Sequence, residues 1–150
     1  MSTRSPLFLA ALCAVPLACT AMAPAARAAT PRLPAAQHQG AVAYRSGGIG
    51  SAEAQAFERA LARHPLAIEL LEHDGRAEAY TADARVRITD AGGRTVLDAQ
   101  AQGPFMLVDL PPGRYAVDAT LHGTTLRKAV AYVTGTAPAR ATFEFPAHTD

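Results

Sequence analysis

Residues 110–120 read LPPGRYAVDAT. Two prolines and a glycine run straight into a stretch that alternates apolar and polar side chains. Pro111 and Pro112 fix φ and cannot donate to a ladder, so a preceding strand must end there. Gly113 supplies backbone freedom for a change of direction. Beyond it Tyr115, Val117, Ala119 and Leu121 point one way, and Arg114, Ala116, Asp118 and Thr120 the other. That is the period of a half-buried strand. The stretch reads as a corner of a β fold and not as a catalytic loop.

The same period extends outward in both directions. Leu66, Ile68 and Leu70 alternate with Ala67, Glu69 and Leu71, and Ala84, Val86 and Ile88 with Arg85, Arg87 and Thr89. Asp90-Ala91-Gly92-Gly93 reads as a hairpin turn with its return strand over 95–101. Residues 104–110 are apolar on both faces, Phe105 and Leu107 against Met106 and Val108, which predicts a short strand covered on both sides. His122-Gly123 reads as a tight turn, 125–134 as a further strand, and Ala141, Phe143 and Phe145 as the inward face of the last. About seven short strands separated by regular turns predict a mainly β chain folded as an antiparallel sandwich over 65–146, with 147–150 a tail.

Upstream the pattern changes. Residues 29–50 are rich in Pro, Ala and Gly without a sustained period, and read as a flexible lead-in. Ser51 then reads as an N-cap with Glu53 in the first turn, where it complements the helix dipole. Ala54, Phe57, Ala60 and Leu61 recur at helical spacing, and Pro65 stops the run, so 51–64 is expected to form one short amphipathic helix. A single apolar stripe must cover something. Gly47-Gly48-Ile49-Gly50 before that helix raises a phosphate-loop reading. No strand is read before it and no Lys-Ser/Thr pair follows, so the better reading is a flexible approach that lets Ile49 pack on the sandwich.

The first residues carry a different signal. Arg4 precedes an almost purely apolar run over 6–18, and Ala26-Arg27-Ala28 is a small-x-small site. Charged, apolar and cleavable regions in that order read as a secretory signal peptide over 1–28. The run is too short for a stable span of roughly 30 Å, so no membrane insertion is expected after cleavage. Leu17-Ala18-Cys19 raises a lipoprotein alternative, which Pro16 weakens by standing where an aliphatic residue is wanted. Both cysteines, Cys13 and Cys19, would leave with the leader, and with them any disulfide or thiolate chemistry. The whole chain of 150 residues carries a formal charge of +1, and removing Arg4 and Arg27 keeps it near neutral. A near-neutral balance excludes the electrostatics of a nucleic-acid binder.

The spacing Gly103-x-Phe105-x-Leu107-x-x-Leu110-Pro111-Pro112-Gly113-x-Tyr115-x-Val117, with Gly123 after it, resembles the carboxypeptidase regulatory-like domain. The resemblance covers about 66–146. It implies a seven-stranded Greek-key sandwich of transthyretin (prealbumin) type, and an accessory module that accompanies catalysts or outer-membrane receptors without being one. Here a lead-in and a helix stand where a peptidase domain would precede the module. An accessory role therefore calls for a separate partner.

Residues that could carry chemistry do not assemble along the sequence. His38, His64, His73, His122 and His148 show no local ligand spacing, so no metal or cofactor is expected. Arg85, Arg87, Arg114, Arg127 and Lys128 could form a stripe for an anionic polymer, but aspartates at 83, 90, 98, 109 and 118 are interleaved, which predicts a mixed solvated face. Beyond the leader only Ser46 and Ser51 remain as serines, neither in a nucleophile elbow. Glu69 and Glu72 fall on opposite faces of one strand. The FEFPAHTD ending lacks the Tyr-Arg-Gly-Ser-like tail of the ring-opening urate-pathway hydrolase that shares the transthyretin fold. The expectation is a non-catalytic periplasmic or secreted module that meets an envelope protein through its strand edges. The alternative is a small molecule or glycan at the loop end; four tyrosines and no tryptophan disfavour a sugar-stacking platform.

Overall fold

The alternating stretches form strands, and the strands form two sheets. The computed structural model describes residues 30–147 apart from 75–76 and 133–136. In chain order these are β1 (Gln37–Gln39), β2 (Val42–Gly47), helix α1 (Ser51–Ala60) with a 3-10 turn (Leu61–Arg63), β3 (Leu66–Asp74) and β4 (Ala77–Tyr80). There follow β5 (Arg85–Asp90), β6 (Thr95–Gln100), β7 (Phe105–Asp109), β8 (Gly113–Leu121), β9 (Thr124–Tyr132) and β10 (Ala139–Phe145). One sheet has six strands in the order β1-β2-β7-β3-β10, with β4 also paired to β3; the other has four in the order β6-β5-β8-β9. The expected leader and His148 lie outside the described residues.

The two sheets bury the inward faces read from the sequence. Leu66, Ile68, Leu70, Val86, Ile88, Val117, Phe143 and Phe145 share one core with Leu97, Met106 and Val108, and Tyr115 packs at its rim. Each such side chain contributes about 1.5–3 kcal/mol by leaving water. The β7 stretch is apolar on both faces because it is covered on both. Met106 and Val108 face the second sheet, while Phe105 and Leu107 join Ala67 under Phe57, Ala60 and Leu61 of the helical segment. The helix is therefore docked on the outer face of the first sheet, as a third layer.

Several expectations are corrected. The described residues form ten strands where about seven were expected. The lead-in 29–50 is not a bare tether, because β1 and β2 form a hairpin and β2 pairs with β7 from Ala43↔Asp109 to Gly47↔Phe105. Val42 is buried in the main core and Tyr44 packs against it, a period of two too short to stand out among Pro, Ala and Gly. The strands are not all antiparallel either: β10 runs parallel to β3, from Ala139↔Leu66 to Phe145↔Glu72. β9 belongs to the second sheet and β10 to the first, so β10 is not the hairpin return of β9. Ser51 is not the N-cap. Gly50 takes that place at φ 92°, its carbonyl accepting from the Ala54 N–H at 3.0 Å.

The Pro-Pro-Gly corner holds, with one change of reason. Leu110 is buried, and Pro111 and Pro112 are exposed between β7 and β8. The Tyr115 hydroxyl donates to the Pro111 carbonyl at 2.8 Å, tying the new strand back to the corner. Gly113 does not occupy the left-handed region. A Cβ at that position would meet the Tyr115 ring at ordinary contact distance, 3.4 to 3.5 Å. The turn at His122-Gly123 does need positive φ, at 47° and 80°, the geometry that suits a tight hairpin.

Both sides of the sandwich where the sheets meet are guarded. On one, the backbone N–H of Asp98 at the β6 edge donates to Gln39 Oε1 of β1 at 2.6 Å. On the other, β9 runs near β10, and Lys128, across from inward-facing Val117, holds its ammonium 5.6 Å from the centre of the Phe143 ring. An inward-pointing charge on an edge strand is a known deterrent to pairing with another chain.

Candidate functional site

Three glycines shape the site. Gly47 ends β2, and Gly48 follows at φ 100° with no room for a Cβ beside the Phe105 ring. A Cβ on Gly103 would fall on the Gly47 carbonyl. This close approach of backbone to backbone and ring turns the chain outward before α1. Ile49 consequently points to solvent at 66 % exposure, where packing on the sandwich was expected.

Opposite Ile49 stands Tyr80, the other large hydrophobic exposed among the described residues, at 58 %. Between them runs a groove of about 500 Å³ lined by Gly48, Ile49, Gly50, Ser51, Ala54, Tyr80, Thr81, Ala82 and Pro104. Its volume lies in the range of binding pockets for small ligands. The Tyr80 ring leans on Phe105 at 5.2 Å between centroids and 50° between planes, and Phe105 stacks on Phe57 at 5.8 Å. An aromatic tier therefore runs from the docked helix to the groove wall and fixes Tyr80 on its inner side.

The backbone of that wall is oriented as well. Leu71 faces Tyr80 in the β3–β4 ladder, and the Thr81 N–H donates to the Leu70 carbonyl at 3.2 Å. In an antiparallel ladder this makes Leu71 and Tyr80 a non-hydrogen-bonded pair, so the N–H and C=O of Tyr80 point away from β3. Among the described residues no strand pairs with that outer edge.

The charged face behaves differently. Asp98, Arg87, Asp118 and Arg127 are successive cross-strand partners over β6, β5, β8 and β9, a row of alternating charge across the whole four-stranded sheet. Arg85 joins it diagonally, with Nε 2.7 Å from Asp98 Oδ1. Arg87 reaches the other oxygen of Asp98 at 3.2 Å, and Arg127 Nη2 lies 2.7 Å from Asp118. The hydrogen bond from Arg85 holds the Asp98 carboxyl below its ordinary pKa, and that from Arg127 does the same for Asp118. Three arginines of the expected stripe, Arg85, Arg87 and Arg127, are thus paired with interleaved aspartates, while Lys128 lies over the Phe143 ring and Arg114 is exposed.

The remaining candidates take structural places. His64 Nδ1 lies 2.7 Å from Asp109 Oδ1, joining the end of the 3-10 turn to the end of β7. His38 lies on β1 and His73 on β3, both exposed, and His122 in its turn. Among the described residues no cluster of three His, Cys, Asp or Glu could hold a metal. Ser46 is buried; its hydroxyl accepts from the Gln102 N–H at 2.8 Å and donates to the Phe105 carbonyl at 3.3 Å. Glu69 accepts from Thr142 and Glu72 from Thr81, and strand alternation sets the two acids on separate faces of β3. Gly103, Phe105, Leu110, Pro111, Pro112, Gly113, Tyr115 and Val117 frame the fold: Val117 lies in the main core and Phe105 in the helix-side core.

Compared with known proteins, the chain matches no family model, no curated protein and no solved structure. What it does must be read from its own geometry. The groove between Ile49 and Tyr80 is the feature that the sequence did not announce, because its walls come from distant segments brought together by the β2–β7 and β3–β4 ladders.

Proposed function

We propose that this chain is an exported, non-catalytic β-sandwich module of carboxypeptidase regulatory-like type, serving as a binding or structural accessory in the bacterial envelope. Its point of contact is the groove between Ile49 and Tyr80. One observation carries the reading: the two large hydrophobics exposed among the described residues border the same groove, while Arg85, Arg87 and Arg127 of the opposite sheet are paired with Asp98 and Asp118. Exposed apolar surface gathered in one place marks a contact site.

The family reading is supported by strand order. Setting aside β1, β2 and β4, seven strands remain, ordered β7-β3-β10 and β6-β5-β8-β9 with β3 parallel to β10. That order is compatible with a Greek-key sandwich of transthyretin type. The charged, apolar and cleavable order of 1–28 supports export, and among the described residues no helix is long and apolar enough to cross a membrane.

The test is made in the cell. The exported protein should have an intact mass that starts at Ala29 or within a residue or two. A photo-crosslinking residue placed at 49 or 80 should give one discrete adduct in the periplasm, and one at 127 should give none. Adducts of equal strength from all three positions would remove the groove from the proposal. A second reading, a small apolar molecule in the groove, is favoured by the groove's volume alone. Native mass spectrometry of protein taken from the periplasm would show it as added mass.

A further inference from the structure

The groove joins three properties. It is apolar, bounded by Ile49, Ala54, Pro104 and Tyr80. One wall is a strand whose outer N–H and C=O groups, those of Tyr80 and by alternation Glu78, face away from β3. Two acids neighbour the lining residues: Glu53 lies between Ser51 and Ala54 with its carboxylate over Gly47, and Asp83 follows Ala82, one of its oxygens accepting from Gln100 Nε2 at 3.4 Å. Among the described residues, no Lys or Arg occupies a lining position or one next to it in sequence.

From these we infer that the groove receives an extended apolar peptide segment flanked by lysine or arginine, which adds to the outer edge of β4 as a further strand. The inference rests on the proposed binding role and names its partner. A small apolar molecule would fill the volume but leave the outward backbone groups of β4 without partners, whereas a strand satisfies them. Alternate side chains of that strand would lie against Ile49 and Tyr80, and its basic flanks would meet Glu53 and Asp83. Other edges are less suited. Gln39 covers the β6 edge, Lys128 guards β9, and β1 offers only three exposed polar residues.

The experiment uses the protein purified from the periplasm and three dye-labelled decapeptides of alternating valine and threonine, read by fluorescence anisotropy at low salt. One carries two lysines at each end, one carries glutamates there, and one is the lysine peptide N-methylated at alternate residues. The lysine peptide should bind about threefold to tenfold more tightly than the glutamate peptide. The N-methylated peptide should lose at least about tenfold, because it cannot form the ladder. Binding should slow hydrogen exchange at the Tyr80 amide. The pair Glu53→Gln and Asp83→Asn should abolish the preference for lysine flanks while leaving the fold intact, since Asn tolerates the left-handed φ of 66° at position 83. Equal binding of the N-methylated peptide, an unchanged Tyr80 amide, or no binding of any peptide up to millimolar concentration would each overturn the strand-addition inference. If crosslinks from positions 49 and 80 persist in that event, the binding role stands and only the nature of its partner falls.

Discussion

The rings of Phe57 and Phe105 stack 14° from parallel with their centres 5.8 Å apart, and this pair holds the helix to the sheet. Both rings are fully buried. Ten residues of helix are too few to persist alone in water, so the order of α1 comes from docking. Phe57→Ala should cost about 3–5 kcal/mol, and should open the amides of 54–60 to rapid hydrogen exchange before those of β5 or β8. Unchanged protection over 54–60 in that variant would show that the remaining contacts of Ala60 and Leu61 suffice.

Two glycines of the motif should respond oppositely to alanine. At Gly103 the new methyl would strike the Gly47 backbone, which cannot move without displacing β2. At Gly113 it would meet the Tyr115 ring at ordinary contact distance. In urea titrations Gly103→Ala should cost about 1–3 kcal/mol, while Gly113→Ala should stay within about 0.5 kcal/mol of the parent.

Phe143 and Arg87 set the contrast between core and surface. Phe143 is fully buried opposite Leu70 in the β10–β3 ladder, so Phe143→Ala should cost about 3–5 kcal/mol. Arg87 is half-exposed, and Asp98 and Asp118 keep Arg85 and Arg127 without it. Arg87→Ala should therefore change stability by no more than about 1 kcal/mol. Thermal melts of both variants make the comparison.

Acid should weaken the alternating row. Asp98 and Asp118 have folded pKa values lowered by hydrogen bonds from Arg85 and Arg127. A lowered folded value means that the unfolded chain takes up the proton first. Their stabilisation is whole above the ordinary aspartate value of about 3.9 and is lost as pH falls through the lower folded values. Carboxyl NMR titration should place both groups below that ordinary value. In the Arg85→Gln and Arg127→Gln variants the affected aspartate should move back toward it.

The strands that were legible each bury one face. β5, β8 and β10 alternate because one side meets the core and the other is largely open to water, while β7 reads as apolar throughout because α1 covers its second side, which it shares with Ala67 of β3. β2 was hidden because its reason to be a strand is the β7 ladder, which no local window contains. β4 pairs with the end of β3 over only four residues, too few to set a period. The groove was out of reach for the same reason. Ile49 was expected to pack on the sandwich, and the crowding of Gly48 against Phe105 and of Gly103 against Gly47 accompanies its outward turn.

The parallel pairing of β3 and β10 also governs the order in which the molecule can be completed. β3, early in the chain, is sealed along one edge by the last strand, from Ala139↔Leu66 to Phe145↔Glu72. Contacts so distant along the chain form slowly, because a long loop must close before any of them stabilises the fold. A chain made or threaded from its N-terminus holds β3 half-paired until residue 145 has emerged. Until then the places of Phe143 and Phe145 in the core stand open, and the edge of β3 is bare to whatever strand it meets first.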